Sequence, residues 1–394
     1  MNILYFCQLY PPAIYGGGEY IFFQWAKELA KRGHKVYVIT QRLVGERDFE
    51  IIEGVRVYRV GPAIKYGGLL PLGVFENFGY IIGAIMKGIT LISKNKINIL
   101  HSNTYAPVLA GQACAIIFRR NHIITVHDVY FSMIKDFWDK WASQVSVGSL
   151  TVKIGPFIEK FVLKLPATVF HTVSETSKHD LYMCGLQKVV VIPNGINLQD
   201  YDSISATKVN THQAIFIGRL VFYKNLDTVI RAMENVVAKI PNSKLIVIGD
   251  GPMLSSMERL TKNLGLAGNV IFKGRISHEE KVKLLKKSSF LVLPSLVEGF
   301  GIVLLEAFAC SKPVLVSQVK PLTEIVENDK YGYVIPPFNV DAWAEKMIYL
   351  FNDSNKATEM GICGRKELEK SYIIPKVVDK LEELYSKITT CERE

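Results

Sequence analysis

The residues most able to do chemistry lie around position 300, where two glutamates flank a glycine turn. The segment 294–307 ends an apolar run, turns through Gly299, Phe300 and Gly301, and continues as an apolar helical pattern. The first amides of such a helix have no partner within it, and glycine lets a ligand approach the backbone closely. The pattern therefore predicts an anion-binding turn at the carboxyl end of a strand.

Glu298 and Glu306 are the carboxylates of this segment, and each has two interpretations. Glu306 is the only charge of the predicted helix, and a buried carboxylate there needs hydrogen-bond donors such as the two hydroxyls of a ribose. The helix dipole alone also favours an acid in the first turn. Glu298 could hold a ligand or be a solvated loop residue.

A pair of cations provides the second strong signal. Arg219 follows the apolar run 214–217, and Lys224 precedes a helical pattern that starts at residue 226. The guanidinium can hold oxygens in its planar fork while the ammonium acts as a point charge, so the pair suits a diphosphate. Together with the glycine turn, this spacing indicates a site for a phosphorylated ligand.

A glycine run near the start of the chain is a weaker signal. Gly16, Gly17 and Gly18 lie between the first predicted strand and helix, but Ile21 stands where a dinucleotide-binding loop needs its third glycine. The next strand ends without an acid, although Arg42 could suit a 2′-phosphate. The run could equally be a tight turn.

His127 comes directly after the predicted strand 123–126. A histidine at the carboxyl end of a strand can reach a bound ligand. A single histidine can also be structural, so its interpretation depends on the other motifs.

Both halves of the chain alternate apolar runs with helical patterns, which is typical of parallel sheets with helices on both faces. The first half predicts strands at 3–7, 36–40, 55–60, 99–101, 123–126, 169–173 and 189–192, and helices at 19–31, 79–93, 106–118 and 174–183. The second half predicts strands at 214–217, 244–248, 269–272, 290–293 and 313–316, and helices at 226–239, 253–264, 278–286 and 302–310. We therefore predict an α/β protein of two Rossmann-like domains, 1–193 and 194–371, that face a central cleft where ligands bind.

The segment 130–165 interrupts this alternation with aromatic residues and lysines. We predict an amphipathic helix with breaks. Such a helix could pack in the ordinary way, or it could face an acceptor or a membrane.

Composition and charge narrow the class of protein further. The six cysteines form no C-x-x-C motif, which favours reduced, buried thiols over a zinc site or a disulfide framework. We predict neither a signal peptide nor a membrane span. Residues 1–190 hold 21 Lys and Arg against 13 Asp and Glu, a balance of +8, and the remainder is at +2. The basic half suggests an anionic partner or solvated surface, and its scattered charges do not favour nucleic acid.

Taken together, these residues resemble the retaining glycosyltransferases of family 4, which have the GT-B fold. Glu298 and Glu306 match the E-x7-E motif of that family, and Arg219 with Lys224 matches its Gly-Arg-Leu…Lys-Asn motif. The segment 247–252, which contains Gly249, matches the Gly-x-Gly-Pro stretch, and 192–195 matches the segment before the domain crossover. The resemblance covers nearly the whole chain, and several matches in the right order make chance a poor explanation.

The resemblance implies a role for each matched residue. Arg219 and Lys224 bind the donor diphosphate, and Glu306 holds the ribose hydroxyls. Glu298 holds the donor sugar, against which His127 also lies, so Arg219, Lys224, Glu298 and His127 are the candidate catalytic residues. The other implied donor-binding residues are Gly299, Phe300 and Gly301 at the sugar, Ile302, Val303 and Leu304 at the phosphates, Arg275 and Ile276 at the base, Gly249, and the closing loop Gly16, Gly17 and Gly18.

The resemblance also implies the reaction and its partners. We expect transfer from a UDP- or GDP-sugar with retention of configuration, and no metal or other cofactor. We expect a glycan or lipid-linked acceptor, a cytoplasmic location with peripheral contact between the basic first domain and the inner face of an anionic membrane, and no nucleic acid partner. The end of the chain, from about residue 372, is expected to pack back on the first domain.

Several alternatives stay open on the sequence alone. A nucleotide-sugar epimerase shares the fold, but its acid and base groups cannot be placed, and a pyridoxal-type sugar phosphorylase is normally much longer. An NADP-dependent oxidoreductase is supported only by the glycine run and Arg42. An inactive nucleotide-sugar-binding scaffold is opposed by the intact cations and glutamates.

Overall fold

Two compact units make up the chain. The computed structural model describes residues 1–12, 16–67, 73–129, 140, 143, 149–205 and 208–390. The N-terminal unit contains Met1–Ala142, Val147–Gly195 and Ile374–Glu394, and the C-terminal unit contains Ser143–Ser146 and Ile196–Ile373. The chain therefore passes from one unit to the other after Gly195 and returns after Ile373.

The N-terminal unit is built on an eight-stranded sheet. Its strands are β1 (Asn2–Phe6), β2 (Lys35–Leu43), β3 (Phe49–Ile52), β4 (Val55–Ile64), β5 (Ile99–Asn103), β6 (Asn121–Val126), β7 (Val169–Thr172) and β8 (Val189–Val191). Its first helices are α1 (Gly17–Lys31), α2 (Val74–Lys94), α3 (Ala106–Phe118), α4 (Ser149–Leu163) and α5 (Glu175–Met183). The strand order is β3-β4-β2-β1-β5-β6-β7-β8, and every neighbouring pair is parallel except β3 with β4. The predicted alternation of strands and helices is confirmed, with shifted ends.

Strand β3 is absent from the sequence prediction. Its four residues alternate between exposed and half-buried positions, and it pairs antiparallel with β4 at the edge of the sheet. A short edge strand with one solvated face has no continuous apolar run, so the apolar pattern does not identify it.

The C-terminal unit is built on a six-stranded parallel sheet. Its strands are β9 (Gln213–Ile217), β10 (Lys244–Ile248), β11 (Val270–Gly274), β12 (Phe290–Leu293), β13 (Val314–Ser317) and β14 (Gly332–Ile335), in the order β11-β10-β9-β12-β13-β14. Its helices are α6 (Gln199–Asp202), α7 (Leu226–Lys239), α8 (Leu254–Asn263), α9 (His278–Lys287), α10 (Ile302–Ala309), α11 (Leu322–Ile325), α12 (Val340–Asn352) and α13 (Ser354–Ser371). The strands and helices predicted up to residue 316 are confirmed, whereas α6, β14 and α11 to α13 are additional to the prediction.

The last helix, α14 (Ile374–Thr390), belongs to the N-terminal unit. Arg32 at the end of α1 binds Asp379 at 2.7 Å and Glu382 at 2.6 Å. The hydroxyl of Tyr385 lies 2.9 Å from that of Tyr5 in β1. These contacts attach α14 to the first sheet, beginning close to the position at which the sequence predicts such a return.

Only part of the aromatic and lysine-rich segment 130–165 can be compared with its prediction. Residues 149–163 form α4, in which Phe157 and Phe161 are exposed. Residues 130–139 lie outside the described residues, so the predicted breaks in this segment stay a prediction.

Apolar burial on both faces of each sheet fixes the strands and therefore the positions of their carboxyl ends. Leu4, Phe6 and Tyr80 are fully buried between the first sheet and its helices. Phe216 and Trp343 are likewise fully buried in the core of the C-terminal unit. Because parallel strands buried on both faces are apolar throughout, these strands read as continuous runs, and the polar residues that follow them stand out.

Candidate active site

The turn before α10 has the geometry of an anion site. Strand β12 ends at Leu293, and Gly301 precedes α10 with a φ of +91°, a left-handed conformation that favours glycine. A Cβ atom at Gly301 would come within 3.0 Å of Leu322. The amides of Ile302 and Val303 open the helix, where N–H groups have no partner one turn back.

Leu304 is expected at the phosphates, and its amide has a partner within the protein. It donates to the carbonyl of Gly301 at 2.9 Å. The first turn of α10 is therefore tight, and a phosphate contact of the Leu304 amide stays a prediction. The side chain of Phe300 is buried against Tyr372, with ring centroids 5.9 Å apart, so only its backbone faces the turn.

Lys224 and Glu298 come together although they are far apart in sequence. Lys224 ends a 3-10 turn that follows β9, and its Nζ donates to Glu298 Oε1. Ser295 donates to the same oxygen at 2.8 Å. The amide of Leu296 donates to the Tyr223 carbonyl at 2.7 Å, so the backbone holds the two loops in register. The pair is largely buried, which requires each charge to have its partner.

Arg219 lies two residues after β9 and is exposed. Its segment packs on the Gly-x-Gly-Pro stretch, since the amide of Leu220 donates to the Asp250 carbonyl at 3.0 Å. A Cβ atom at Gly249 would lie 1.9 Å from the Gly218 carbonyl oxygen. Gly249 therefore acts through close packing of two loops, a structural reason for glycine at this position.

Glu306 has two partners that the sequence does not reveal. The residue is only 9% exposed, and Oε1 accepts hydrogen bonds from Lys281 Nζ at 2.6 Å and from the Tyr201 hydroxyl at 3.0 Å. Lys281 belongs to α9 and Tyr201 to α6, so neither is near Glu306 in sequence. We call Lys224, Glu298, Lys281 and Glu306 the charged cluster of the C-terminal unit.

The residues expected at the base lie beyond β11. Arg275 is exposed, and its Nε is 3.9 Å from Asp250 Oδ2. Ile276 is half-buried. The cation is thus attached to the Gly-x-Gly-Pro stretch by a long ion pair of the kind that contributes little to stability.

In the N-terminal unit the structure brings Gly18 and His127 together. A Cβ atom at Gly18 would be 3.0 Å from His127 Nε2 and 3.4 Å from the Asn103 side-chain nitrogen. Gly17 is the first residue of α1, and Gly16 is its N-cap. The glycines therefore allow α1 to begin directly beside the imidazole.

Asn103 orients His127 and is a functional candidate that the sequence analysis missed. Its Oδ1 accepts from the Thr104 amide at 3.0 Å and lies 3.0 Å from His127 Nε2. Because that oxygen is an acceptor, His127 Nε2 carries the proton and Nδ1 is left as an acceptor. Burial lowers the pKa of His127 to about 3, with a smaller contribution from His171.

His127 is one of several uncharged histidines in this sheet. Thr125 Oγ1 lies 2.7 Å from His101 Nε2 and 2.9 Å from His171 Nδ1, and His101 Nδ1 lies 2.7 Å from the Tyr385 hydroxyl. Burial lowers the pKa of His171 to about 4 and that of His101 well below its usual value. We call Asn103, His127, Thr125, His101 and His171 the neutral cluster of the N-terminal unit.

Other possible sites are limited within the described ranges. There, no three His, Cys, Asp or Glu side chains converge as a metal site would require. Five cysteines, up to Cys363, are described, and all are free thiols. None of the helices described combines the length and apolar character needed to cross a membrane.

Comparisons with known proteins agree in family and fold. The chain is 28% identical to an uncharacterized glycosyltransferase of Methanocaldococcus jannaschii over 376 residues, which are 88% of this chain and 90% of that protein. It shares its fold with a sucrose-phosphate synthase of Thermosynechococcus elongatus, with a TM-score of 0.78 at 20% identity over 99% of this chain and 100% of the other. It also shares it with HepE of Anabaena in complex with UDP-glucose, with a TM-score of 0.73 at 17% identity over 98% of this chain and 100% of the other.

Two family profiles divide the chain near the passage between its units. Residues 15–200 match Glycosyltransferase Family 4, and residues 199–367 match Glycosyl transferases group 1. The first match covers most of the N-terminal unit before the crossing, and the second covers most of the C-terminal unit. Together with the shared fold, they show that the chain belongs to the family 4 glycosyltransferases and has the GT-B fold.

Proposed function

We propose that this glycosyltransferase moves a sugar from a nucleoside diphosphate sugar to an acceptor hydroxyl with retention of configuration. The observation that most strongly supports this function is the charged cluster beside the start of α10. It supplies two ammonium groups, two carboxylates and the helix amides within one unit. That combination suits a ligand with a diphosphate at one place and sugar hydroxyls on both sides of it.

The charges suggest how the donor is activated. Arg219, Lys224 and the amides of Ile302 and Val303 would hold the diphosphate. When the bond between the sugar C1 and the phosphate oxygen breaks, negative charge develops on the departing diphosphate, and these groups stabilise it. The acceptor oxygen forms the new bond to C1 on the same face, and its proton passes to a phosphate oxygen. The cations would thus supply the stabilisation that a divalent metal supplies elsewhere, so we propose a metal-independent reaction.

The carboxylates would bind hydroxyls. Glu298 Oε1 already accepts from Lys224 and Ser295, which orients the carboxylate and leaves its second oxygen for a sugar hydroxyl. Glu306 would accept from the ribose. We assign Gly18 and His127 to the sugar and acceptor side, where a neutral imidazole can donate or accept without adding charge.

A UDP- or GDP-sugar is the proposed donor. The solved HepE complex contains UDP-glucose, which supports a nucleotide sugar in this fold. A thermal-shift panel of UDP, GDP and ADP with their common sugar conjugates tests the proposal, because a ligand that binds only the folded protein raises its stability. We expect a shift with one uridine or guanosine series, and release of the same diphosphate when acceptor is added. Absence of any shift across the panel contradicts the proposed donor.

We further propose that a lipid-linked acceptor is met at an anionic membrane surface. The exposed face of α2 carries Phe75, Phe78, Ile82 and Met86, and Phe75 is 90% exposed. Their spacing of three or four residues places them on one face of the helix. Isolated exposed apolar residues need no explanation, but an apolar face on the basic half of a protein fits a lipid interface.

Vesicle flotation tests this contact. We expect wild-type protein to float with vesicles of phosphatidylglycerol and phosphatidylcholine at low salt, and the double variant Phe75→Ser/Phe78→Ser to remain at the bottom. Met183→Ser is the matched control, because Met183 is 75% exposed on α5 of the same unit. Wild-type protein that does not float at low salt refutes the proposed membrane contact without affecting the donor assignment.

The similarities to known proteins do not favour the epimerase or oxidoreductase alternatives. In addition, the glycine run that supported NADP lies against His127 and Asn103, with Gly18 as the contact point. Titration of NADPH against UDP-glucose, with protein fluorescence as the readout, separates these alternatives. Saturable binding of NADPH alone favours the oxidoreductase.

A further inference from the structure

The carboxylate of Glu306 is fixed from one side only. Lys281 Nζ at 2.6 Å and the Tyr201 hydroxyl at 3.0 Å both donate to Oε1. Within the residues that the structure describes, Oε2 makes no hydrogen bond. One oxygen thus binds the protein, while the other is left to accept from a ligand.

The two donors are themselves held rigidly. Tyr201 is 1% exposed, and its ring lies 5.3 Å from that of His278 in α9. Lys286, also in α9, donates to the Tyr201 carbonyl at 2.8 Å. Helices α6 and α9 therefore form one support, and this support presents an ammonium and a hydroxyl to Glu306.

The charge of Lys281 has a chemical consequence for Glu306. A buried carboxylate is costly unless charged or hydrogen-bonding partners replace the water that it loses. Hydrogen bonds that end on a charged acceptor are stronger than neutral ones. The ammonium on Oε1 therefore offsets the negative charge of the buried carboxylate, and the Tyr201 hydroxyl limits the rotation of the carboxylate.

We propose that Lys281 and Tyr201 are positioning residues that make Glu306 selective for a ligand with a vicinal diol, the ribose of the donor nucleotide. This inference rests on the proposed function, because it needs a nucleotide at Glu306. It assigns to α9 a part in donor recognition that no sequence motif indicates. An alternative is that Lys281 only stabilises the fold, and the two ideas differ in what they predict for the ribose hydroxyls.

The test compares each variant with a diol-bearing and a diol-free ligand. Isothermal titration calorimetry gives the Kd of the tightest of UDP, GDP and ADP and of its 2′,3′-dideoxy analogue. We expect wild-type protein to bind the dideoxy analogue about 10- to 100-fold more weakly, the range for hydrogen bonds to a charged group. Lys281→Met should reduce that ratio to about threefold or less, and Lys281→Arg should restore most of it.

Two further variants keep the test decisive. Lys283→Met, on the same helix, removes an exposed lysine that pairs with Glu279 and should keep the wild-type ratio. Tyr201→Phe removes one hydroxyl from a buried ring and should lower the ratio by a smaller factor, so it serves if Lys281→Met does not fold. The inference is overturned if folded Lys281→Met keeps the wild-type ratio of the two Kd values, or if Tyr201→Phe keeps it where Lys281→Met does not fold. Either result leaves the proposed function intact. Wild-type protein that binds none of the three diphosphates refutes the proposed function as well.

Discussion

In the C-terminal unit the loops and helices that follow the strands carry two lysine–glutamate pairs, whereas the N-terminal unit holds histidines in uncharged hydrogen bonds. The side chains of the pairs are 11–21% exposed and lie outside the strands. All members of the second set except His127 lie within strands β5, β6 and β7. The charged cluster contains Lys224 with Glu298 and Lys281 with Glu306. The neutral cluster centres on Asn103, Thr125 and three histidines.

Under the proposed function, this difference in charge corresponds to two tasks, binding of the donor and orientation of the reacting groups. A buried ion pair is costly to form and costly to break, and under the proposed function the diphosphate brings further charge to these two pairs. Neutral imidazoles impose direction through hydrogen bonds without attracting an anion. We therefore expect changes in the charged cluster to act on donor affinity, and changes in the neutral cluster to act on geometry and on acid stability.

The largest effect is expected at Lys224. Lys224→Ala removes the cation proposed for the diphosphate and leaves Glu298 without its partner. We expect kcat/KM for the donor to fall by about 10²- to 10³-fold, as for loss of one preorganised donor at a developing charge. Lys262→Ala, an exposed lysine in the last turn of α8, is the control. A rate within twofold of wild type would show that the diphosphate lies elsewhere.

Acid should destabilise the N-terminal sheet more than the C-terminal one. In the folded chain the pKa of His127 is lowered to about 3 and that of His171 to about 4. Between these values and about pH 6.5, the unfolded chain therefore binds protons at these histidines that the folded chain does not bind. Stability contributed by the neutral forms is therefore complete above pH 6.5 and is lost as the pH falls. At pH 5 local opening should be favoured by about 30-fold for each histidine exposed.

Hydrogen exchange at pH 7 and pH 5, corrected for intrinsic rates, measures this difference. Peptides covering β5, β6 and β7 should lose protection, and peptides covering β9, β10 and β12 should change less. An equal loss of protection in both sheets would contradict the expectation that acid acts mainly through the neutral cluster.

Asn103→Asp tests whether the neutral state of His127 matters. A carboxylate 3.0 Å from Nε2 raises the pKa of the imidazole. The variant should acquire an acid limb in its pH–rate profile near neutrality, with roughly tenfold lower activity below the new pKa. Asn242→Asp adds the same charge in an exposed turn and should keep the wild-type profile. An unchanged profile in Asn103→Asp would mean that protonation of His127 does not affect transfer.

The smallest effect is expected at Gly18. Alanine there places a Cβ 3.0 Å from His127 Nε2, so the imidazole must move by a few tenths of an ångström. We expect kcat to fall by about three- to tenfold, since misplacement of a positioning group by less than 1 Å costs less than 10²-fold. The Kd of the diphosphate should stay constant. Gly268→Ala, with no atom within 4 Å of the new Cβ, is the control, and a weakened Kd in Gly18→Ala would place this glycine at the phosphates instead.

The sequence predicts those parts of the molecule that depend on local pattern. The apolar runs identify the strands of both parallel sheets, and the family motifs identify Arg219, Lys224, Glu298 and Glu306. The edge strand β3 was not predicted because it has only four residues and Glu50 interrupts its apolar residues. The sequence also does not show how tightly α10 begins, where the Leu304 amide donates to the Gly301 carbonyl.

The partners of the motif residues could not be predicted, for one physical reason. Lys281 and Tyr201 reach Glu306 through the packing of α6 and α9, and Asn103 reaches His127 through the pairing of β5 with β6. Such contacts depend on tertiary structure, and an isolated lysine, tyrosine or asparagine carries no local signal. The sequence therefore identifies the residues of the family motifs more readily than the residues that hold them in place.

Calorimetric binding of the preferred nucleoside diphosphate to wild type, Lys224→Ala and His127→Gln tests the central claim most directly. The charged cluster is predicted to carry donor affinity, so Lys224→Ala should weaken the Kd by about 10- to 150-fold, the range for a hydrogen bond to a charged group. His127→Gln should keep the Kd within about twofold, because a neutral hydrogen-bonding group replaces another. Equal losses in both variants, or a larger loss in His127→Gln, would contradict the assignment of donor binding to the charged cluster of the C-terminal unit.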